Sequence, residues 1–378
     1  MNVTKKKPVR IGLVGAGFMG KCHANAFRAV DGLFDLPVTP RLELLADMDD
    51  ASAASAASAL GFRRSTGDWT ALVADPDVDI VAITAPNKLH EPIAVAAAQA
   101  GKAVYCEKPL STTLASAERM RDAVAEAGVV NLVGFNFLCN PMVRLARELI
   151  QGGEIGDVTA FRGRHAENYM ARADAPHSFR TDPEGGGALA DIGSHILSMA
   201  RYVLGPIVSV CGSTATIHPE RPLCAGSNET APVRVDDHAQ ALLWFEGGQL
   251  GSVEANWAAT GRTMDLSFEV TGTHGAISFS QERMNELLVY RSGGAAGQQG
   301  FTRIEAGPAH VPYGRFCPAP GHHLGFNDLK VIEVAGLLQA YATNGQAFPD
   351  FAEAYAVQAT VEAIHASSRQ ITPTNVNR

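Results

Sequence analysis

The sequence predicts two domains: an α/β domain built on a doubly wound parallel sheet, then an α+β domain with a large, mostly antiparallel sheet. Three observations carry this reading. Short apolar runs alternate with helical segments through the first third of the chain, the pattern of βαβ units. Near Asn140-Pro141 the character changes, and strand patterns then follow one another with few helices. The length, 378 residues, also exceeds one ordinary compact core. The division is placed at residues 1–138 and 139–378.

The first element is the apolar run Val9–Val14, the type expected of a strand covered on both faces. It leads into Gly15-Ala16-Gly17-Phe18-Met19-Gly20 and a helical pattern over Lys21–Val30. Leu42–Ala46 is a second strand, ending at Asp47. The Ala- and Ser-rich stretch Asp50–Leu60 reads as a surface helix that Gly61 closes as a C-cap. Asp79–Thr84 is a third strand. The helix Pro92–Ala100 opens on proline and stops before Gly101. Ala103–Cys106 is a fourth strand, Ser111–Ala127 a helix closed by Gly128, and Val129–Phe135 the next strand.

Beyond the division, a helix over Met142–Gln151 precedes strands at Val158–Arg164, Ile207–Thr216, Ala239–Phe245, Gly251–Ala255, Asp265–Thr271 and Ala276–Ser280. Phe245-Glu246-Gly247-Gly248-Gln249-Leu250 has the composition of a hairpin turn. A last helix, Phe351–Ser368, follows. No internal repeat is found.

Composition narrows the function classes. Hydrophobic residues are 46% and charged residues 19%, ordinary for a globular protein. The net charge of −8 argues against nucleic-acid partners, which need a basic face. Met1 to Arg10 has basic residues but no apolar stretch before the first strand, so a secretory signal is not expected. No apolar run approaches the roughly 20 residues that span a bilayer. The cysteines, Cys22, Cys106, Cys139, Cys211, Cys224 and Cys317, form no C-x-x-C pair. Reduced, mostly buried thiols in a cytoplasmic protein are expected, with no metal site.

Gly15-x-Gly17-x-x-Gly20 has the context that gives a glycine fingerprint meaning: a strand before it, a helix after it, and an acidic residue at the end of the next strand. The glycines permit a tight turn and let backbone approach a pyrophosphate at the helix N-terminus. Asp47 lies 27 residues beyond Gly20, a spacing stretched by the loop Asp31–Arg41. A carboxylate there accepts hydrogen bonds from the adenosine ribose hydroxyls and repels a 2′-phosphate. Met48, Asp49 and Asp50 follow, with no arginine for that phosphate, so NAD is expected over NADP. The alternative for Asp47 is a plain cap of the next helix.

Three further stretches bear on chemistry: Thr84-Ala85-Pro86-Asn87-Lys88-Leu89-His90 after the third strand, Glu107-Lys108-Pro109 after the fourth, and Gly185-Gly186-Gly187-Ala188-Leu189-Ala190-Asp191-Ile192-Gly193-Ser194-His195 in the second domain. Lys108 stands at the carboxyl end of a parallel strand, where open α/β sheets place ligands. Asp191 and His195 are four apart and share a helix face, and an imidazole is a natural base near neutral pH. The triple glycine makes a turn that lets substrate and cofactor approach backbone. His322 and His323 are adjacent and point apart, a poor ligand pair.

With the glycine fingerprint, these motifs in this order resemble the glucose–fructose oxidoreductase/inositol dehydrogenase/rhizopine-catabolism (Gfo/Idh/MocA) family over essentially the whole chain. The resemblance implies a Rossmann domain that binds NAD, followed by a substrate-binding and oligomerisation domain. It implies NAD-dependent oxidation of a secondary hydroxyl on a sugar, a levoglucosan-like anhydrosugar or an inositol-like cyclic polyol. Lys108, Asp191 and His195 take the family's catalytic positions, His195 as base and Lys108 assisting at the oxygen, with a cis peptide at Pro109. Gly15, Gly17, Phe18, Met19, Gly20, Asp47, Thr84, Pro86, Asn87, His90, Glu107 and Lys108 are the expected cofactor contacts. Lys108, Asn136, Asn168, Tyr169, Arg180, Asp191 and His195 are the expected substrate contacts, and Tyr169 and Trp257 could stack on a sugar face. A homodimer or homotetramer is implied, with no nucleic-acid or membrane partner. One departure bears on substrate: relatives often carry Phe-Asn-Tyr-Arg-Arg where this chain has Phe135-Asn136-Phe137-Leu138-Cys139. The competing readings are an NAD-recycling glycoside hydrolase and a non-catalytic NAD- and sugar-binding sensor.

Overall fold

The computed structural model describes residues 6–370. The start of the basic N-terminal stretch lies outside the described residues. The chain forms two compact units, one ending at Cys139 and resuming over Gly307–Ala356, the other running Asn140–Ala306 and resuming at Val357. The second and third crossings lie inside the range 139–378 that the sequence reading assigned to one domain.

The first unit opens with β1 (Lys7–Val14), α1 (Phe18–Leu33), β2 (Val38–Ala46), α2 (Asp50–Leu60), β3 (Arg64–Thr66), α3 (Trp69–Ala74), β4 (Ile80–Ile83), α4 (His90–Gln99), β5 (Ala103–Cys106), α5 (Leu114–Ala127) and β6 (Asn131–Val133). The strands form a six-stranded sheet ordered β3-β2-β1-β4-β5-β6, parallel at every pairing. The order reverses between β1 and β4, and at such a switch point ligands bind beyond the carboxyl ends of the strands. β4 and β5 are buried at every residue, as strands covered on both faces must be. Asp49 and Thr113 cap α2 and α5 at their N-termini, and Gly61 and Gly128 close them in the left-handed region.

The second unit begins with α6 (Pro141–Gln151) and β7 (Val158–Ala166), then α7 (Ser194–Leu204). Nine strands follow: β8 (Ile207–Ala215), β9 (Glu220–Pro222), β10 (Thr230–Pro232), β11 (His238–Phe245), β12 (Leu250–Asn256), β13 (Asp265–Gly272), β14 (Gly275–Ser280), β15 (Glu286–Arg291) and β16 (Thr302–Glu305). Eight strands make one sheet, β16-β15-β14-β13-β7-β12-β11-β8. Only the β7–β12 pairing in it is parallel. β9 and β10 form a separate ribbon. Along β11, buried and exposed residues alternate, so one face of the sheet is covered and the other open. On the covered face a Cβ at Gly163 would come 2.6 Å from Ile196, which lets α7 lie close on β7.

The last two helices among the described residues are α8 (Phe326–Thr343) and α9 (Phe351–Gln370). α8 returns to the first unit, where Val331, Val334, Leu337 and Leu338 join the core that holds Val9, Ile11 and Tyr105. The cysteines are free, and only Cys22 and Cys106 are fully buried. That corrects the expectation of mostly buried thiols: Cys211 and Cys224 are exposed on the second unit.

Candidate functional site

The first unit builds a cradle at the switch point. Gly15 has φ +93°, and a Cβ there would lie 2.9 Å from the Thr84 backbone. Its N–H donates to the Ala46 carbonyl at 2.9 Å. The Thr84 hydroxyl donates to the Gly15 carbonyl at 2.7 Å and to Val14 at 3.2 Å, tying the turn to the end of β4. A Cβ on Gly20 would meet the Gly15 oxygen at 2.3 Å, so helix and turn touch through backbone alone. Gly17 is different: it caps α1, and a Cβ there would meet nothing within 4 Å. No side chain caps α1 and no acidic residue occupies its first turn. The open space at Gly17 therefore faces the positive end of a helix, which suits a pyrophosphate.

Phe18 and Met48 are strongly exposed. Asp47 directly follows β2, and its carboxylate accepts the Met48 N–H at 2.8 Å. The cap of α2 is Asp49, which accepts from Ser52 at 2.7 Å, so Asp47 is not spent on that helix. These residues fit NAD: a backbone cradle for the diphosphate and a carboxylate at the second strand for the ribose.

Pro86 leads into the 3-10 turn Asn87–Leu89 that precedes α4. His90 is buried, and its ring nitrogens lie 3.0 Å from the carbonyls of Ala85 and Pro109. It joins the loop after β4 to the loop after β5, and burial lowers its pKa. Lys108 is half-buried and precedes a cis peptide to Pro109.

Glu107 turns inward. Its Oε1 accepts from Lys330 of α8 at 2.7 Å and lies 2.7 Å from His23 of α1. Lys330 also donates to Glu333 at 2.7 Å and to the Tyr105 hydroxyl at 3.1 Å, and that hydroxyl donates to Glu333. Burial alone would raise the Glu107 carboxyl, but the Lys330 charge and His23 hold it well below the usual range. The cluster went unseen in the sequence. Its signal was a lysine and a glutamate three apart in the otherwise apolar run Leu329–Leu338.

Asn136, after β6, is buried in a 3-10 turn, and its Nδ2 has no hydrogen-bond partner among the described residues.

In the second unit, residues Leu189–Gly193 form a π-helical turn that runs directly into α7. Asp191 therefore sits on a widened turn and His195 on the first turn of the α-helix, where a uniform α-helix was expected. Asp236 fixes the start of this turn, its carboxylate accepting from Leu189 N–H at 2.8 Å and its carbonyl from Ala188 at 2.8 Å. A Cβ on Gly186 would lie 2.3 Å from the Arg180 carbonyl, and one on Gly187 2.4 Å from the Asp236 carboxylate. Those two glycines answer to the protein's own backbone and side chains, not only to a ligand.

Asp191 Oδ2 accepts from the Tyr169 hydroxyl at 2.9 Å and from Arg180 Nε at 3.0 Å. Three of the seven expected substrate residues are thus brought together, with Arg180 also stacked over Phe179 at 4.5 Å. Asn168 is exposed beside them. His195 is buried, its ring 5.6 Å from that of His165, which is held by the Ile192 carbonyl and Glu167 at 2.8 Å each. Trp257 does not serve as a sugar platform: it is fully buried, its indole N–H donates to Asp237 at 2.6 Å, and its ring meets Tyr169 edge-on. Among the described residues no cluster of three or more His, Cys, Asp or Glu could hold a metal.

Comparison with known proteins agrees with this division of features. Residues 9–135 match the oxidoreductase family with an NAD-binding Rossmann fold, and residues 143–278 match the Gfo/Idh/MocA C-terminal domain. The chain is 39% identical to levoglucosan dehydrogenase of Pseudarthrobacter phenanthrenivorans over 371 residues, covering 94% of this chain and 95% of that one. It is 28% identical to myo-inositol 2-dehydrogenase of Thermotoga maritima, covering 77% and 81%. Among solved structures, levoglucosan dehydrogenase in complex with NADH and levoglucosan aligns with a TM-score of 0.92 at 39% identity, over 96% of this chain and 98% of that one.

Proposed function

The chain belongs to the Gfo/Idh/MocA family of NAD-dependent oxidoreductases, and from that membership we propose that it oxidises a secondary hydroxyl of an anhydrosugar of the levoglucosan type to the ketone. The observation that carries the cofactor half is the cradle at Gly15–Gly20, open at Gly17 and followed by the Asp47 carboxylate. The substrate half rests on 39% identity along 94% of the chain to a levoglucosan dehydrogenase.

When bound, NAD supplies the acceptor for the hydride that leaves the carbinol carbon. The chain's own residues do the rest. The N-terminus of α1 and the glycine backbone hold the diphosphate, with Phe18 and Met19 flanking it. Asp47 accepts from the ribose hydroxyls and selects against a 2′-phosphate. Thr84, Pro86, Asn87 and His90 shape the loop on the nicotinamide side, and Glu107 supports Lys108 from within.

Lys108 donates to the reacting oxygen, and its charge favours the alkoxide character of the transition state. His195 takes the hydroxyl proton as general base. Asp191, held by Tyr169 and Arg180, orients the substrate, and Asn136 and Asn168 add hydrogen bonds to its other hydroxyls. Leu138 and Cys139, in place of two arginines common in relatives, make this pocket less basic and broaden or shift the sugar accepted.

The first unit thus carries the cofactor together with Lys108 and Asn136, and the second carries the other substrate contacts and, through its open sheet face, a homodimer or homotetramer contact. No nucleic-acid or membrane partner and a cytoplasmic location complete the reading. No helix among the described residues is long and apolar enough to cross a membrane.

The test is NADH formation by the purified protein with levoglucosan, inositol isomers, simple aldoses and 1,5-anhydro sugars, run beside NADP. Strong NADH formation with levoglucosan and little with NADP is expected. Tight NAD binding with no oxidation across the panel would overturn the proposal.

A further inference from the structure

Glu107 and Lys330 form a buried ion pair 223 residues apart in sequence, immediately beneath the backbone of Lys108. We propose that Lys330 is a positioning residue for the reaction: by clamping Glu107, it fixes the backbone from which Lys108 reaches its substrate. The inference rests on the assignment of Lys108 made above.

Four observations carry it. Lys330 has no exposed side-chain surface, and its three ammonium protons match the three oxygens within reach, those of Glu107, Glu333 and Tyr105. An ammonium withdrawn from water at such cost is retained where its charge has a task or a partner that needs it. Second, Glu107 is reached from two other elements as well. His23 of α1 meets Oε1, and the Lys108 N–H points at Oε2 from 3.3 Å. Third, a Cβ on Gly134 would lie 2.7 Å from Glu107 Oε1, so the residue after β6 leaves room for this carboxylate and no more. Fourth, the Glu107 N–H donates to Ile83 at the end of β4, which ties the same residue to the switch-point strands.

Helix α8, which brings Lys330 and Glu333, comes from the segment that returns to the first unit after the strands of the second have been laid down. The clamp on Lys108 is therefore assembled only when the chain has come back. A pair placed only for stability could occupy any buried position. This one grips the residue before the lysine and touches the lysine's own amide.

The test uses the full-length protein with Lys330→Met, which keeps length and removes charge. The readout is the reactivity of Lys108 toward reductive methylation as a function of pH, located by mass spectrometry, without substrate or NAD. A threefold or greater change in Lys108 labelling at fixed pH is expected, with other surface lysines unchanged. In turnover, kcat is expected to fall tenfold or more while the Kd for NAD stays within threefold. Unchanged Lys108 labelling in folded Lys330→Met would overturn the proposal.

If the single variant does not fold, the triple variant Glu107→Gln, Glu333→Gln and Lys330→Met removes both buried carboxylates together with their shared ammonium partner. It is expected to fold with altered Lys108 labelling, and wild-type labelling in it would overturn the proposal equally. Because labelling needs no turnover, its outcome is independent of whether the substrate has been identified correctly.

Discussion

Replacing His195 by Ala is expected to lower kcat on the order of 10²–10⁴-fold with NAD affinity kept, because the ring supplies proton transfer and not cofactor binding. Steady-state rates beside NAD titration check this, and an unchanged kcat would remove His195 as the base. His23 gives a second residue-level expectation, on stability. Burial first, and the Lys330 charge second, hold its imidazole down to about 4 from an ordinary 6.5. The unfolded chain regains the ordinary value, so between those two pH values it binds a proton that the native state does not. The contribution is present above about pH 6.5 and is lost as pH falls toward 4. Glu107, depressed in the same direction, adds to the acid loss, whereas burial raises the Glu333 carboxyl and opposes it. His23→Gln keeps an N–H donor for Glu107 but cannot titrate. Its urea midpoint is expected to vary less between pH 7 and pH 4 than that of the wild type, and equal slopes would contradict this.

At the scale of elements, the glycines of the first turn separate two kinds of requirement. Gly17→Ala meets open space, so it is expected to leave Tm nearly unchanged while weakening NAD binding tenfold or more. Gly20→Ala drives a methyl to 2.3 Å from the Gly15 oxygen and is expected to lower Tm by several degrees. Thermal melts with and without NAD distinguish the two, and the reverse pattern would refute the cradle. This turn was legible in the sequence because strand, glycines and helix follow in order. So were β1, β2, β4 and β5, which are apolar runs, and the alternating strands β11 to β14. β3 was not, being three polar residues, Arg64-Ser65-Thr66, with no apolar signal. Nor was α8, whose buried residues lie on all sides and leave no single apolar stripe to read. The site divides in the same way: Lys108, Asp191 and His195 carry motifs, whereas Lys330, Asp236 and Asp237 act through long-range contacts that no local spacing records.

At the scale of the whole molecule, one chain supplies a parallel sheet with a nucleotide cradle and a mostly antiparallel sheet carrying an acid–histidine turn. The first unit is completed only by Gly307–Ala356, so truncation after the second sheet would strip α8 from the core of the first. The open face of the larger sheet exposes Leu242, Trp244 and Leu250 as an apolar strip. In the proposed reaction the carbinol hydrogen of a sugar leaves as hydride to NAD and the product is a ketone. The most direct measurement follows levoglucosan deuterated at its ring carbons, with the mass of both products read after turnover. One deuterium in each NADH formed, matched by an equal amount of keto product, is the expected result. A ring-opened sugar with no net NADH, or no turnover of any panel member by NAD-bound protein, would contradict it.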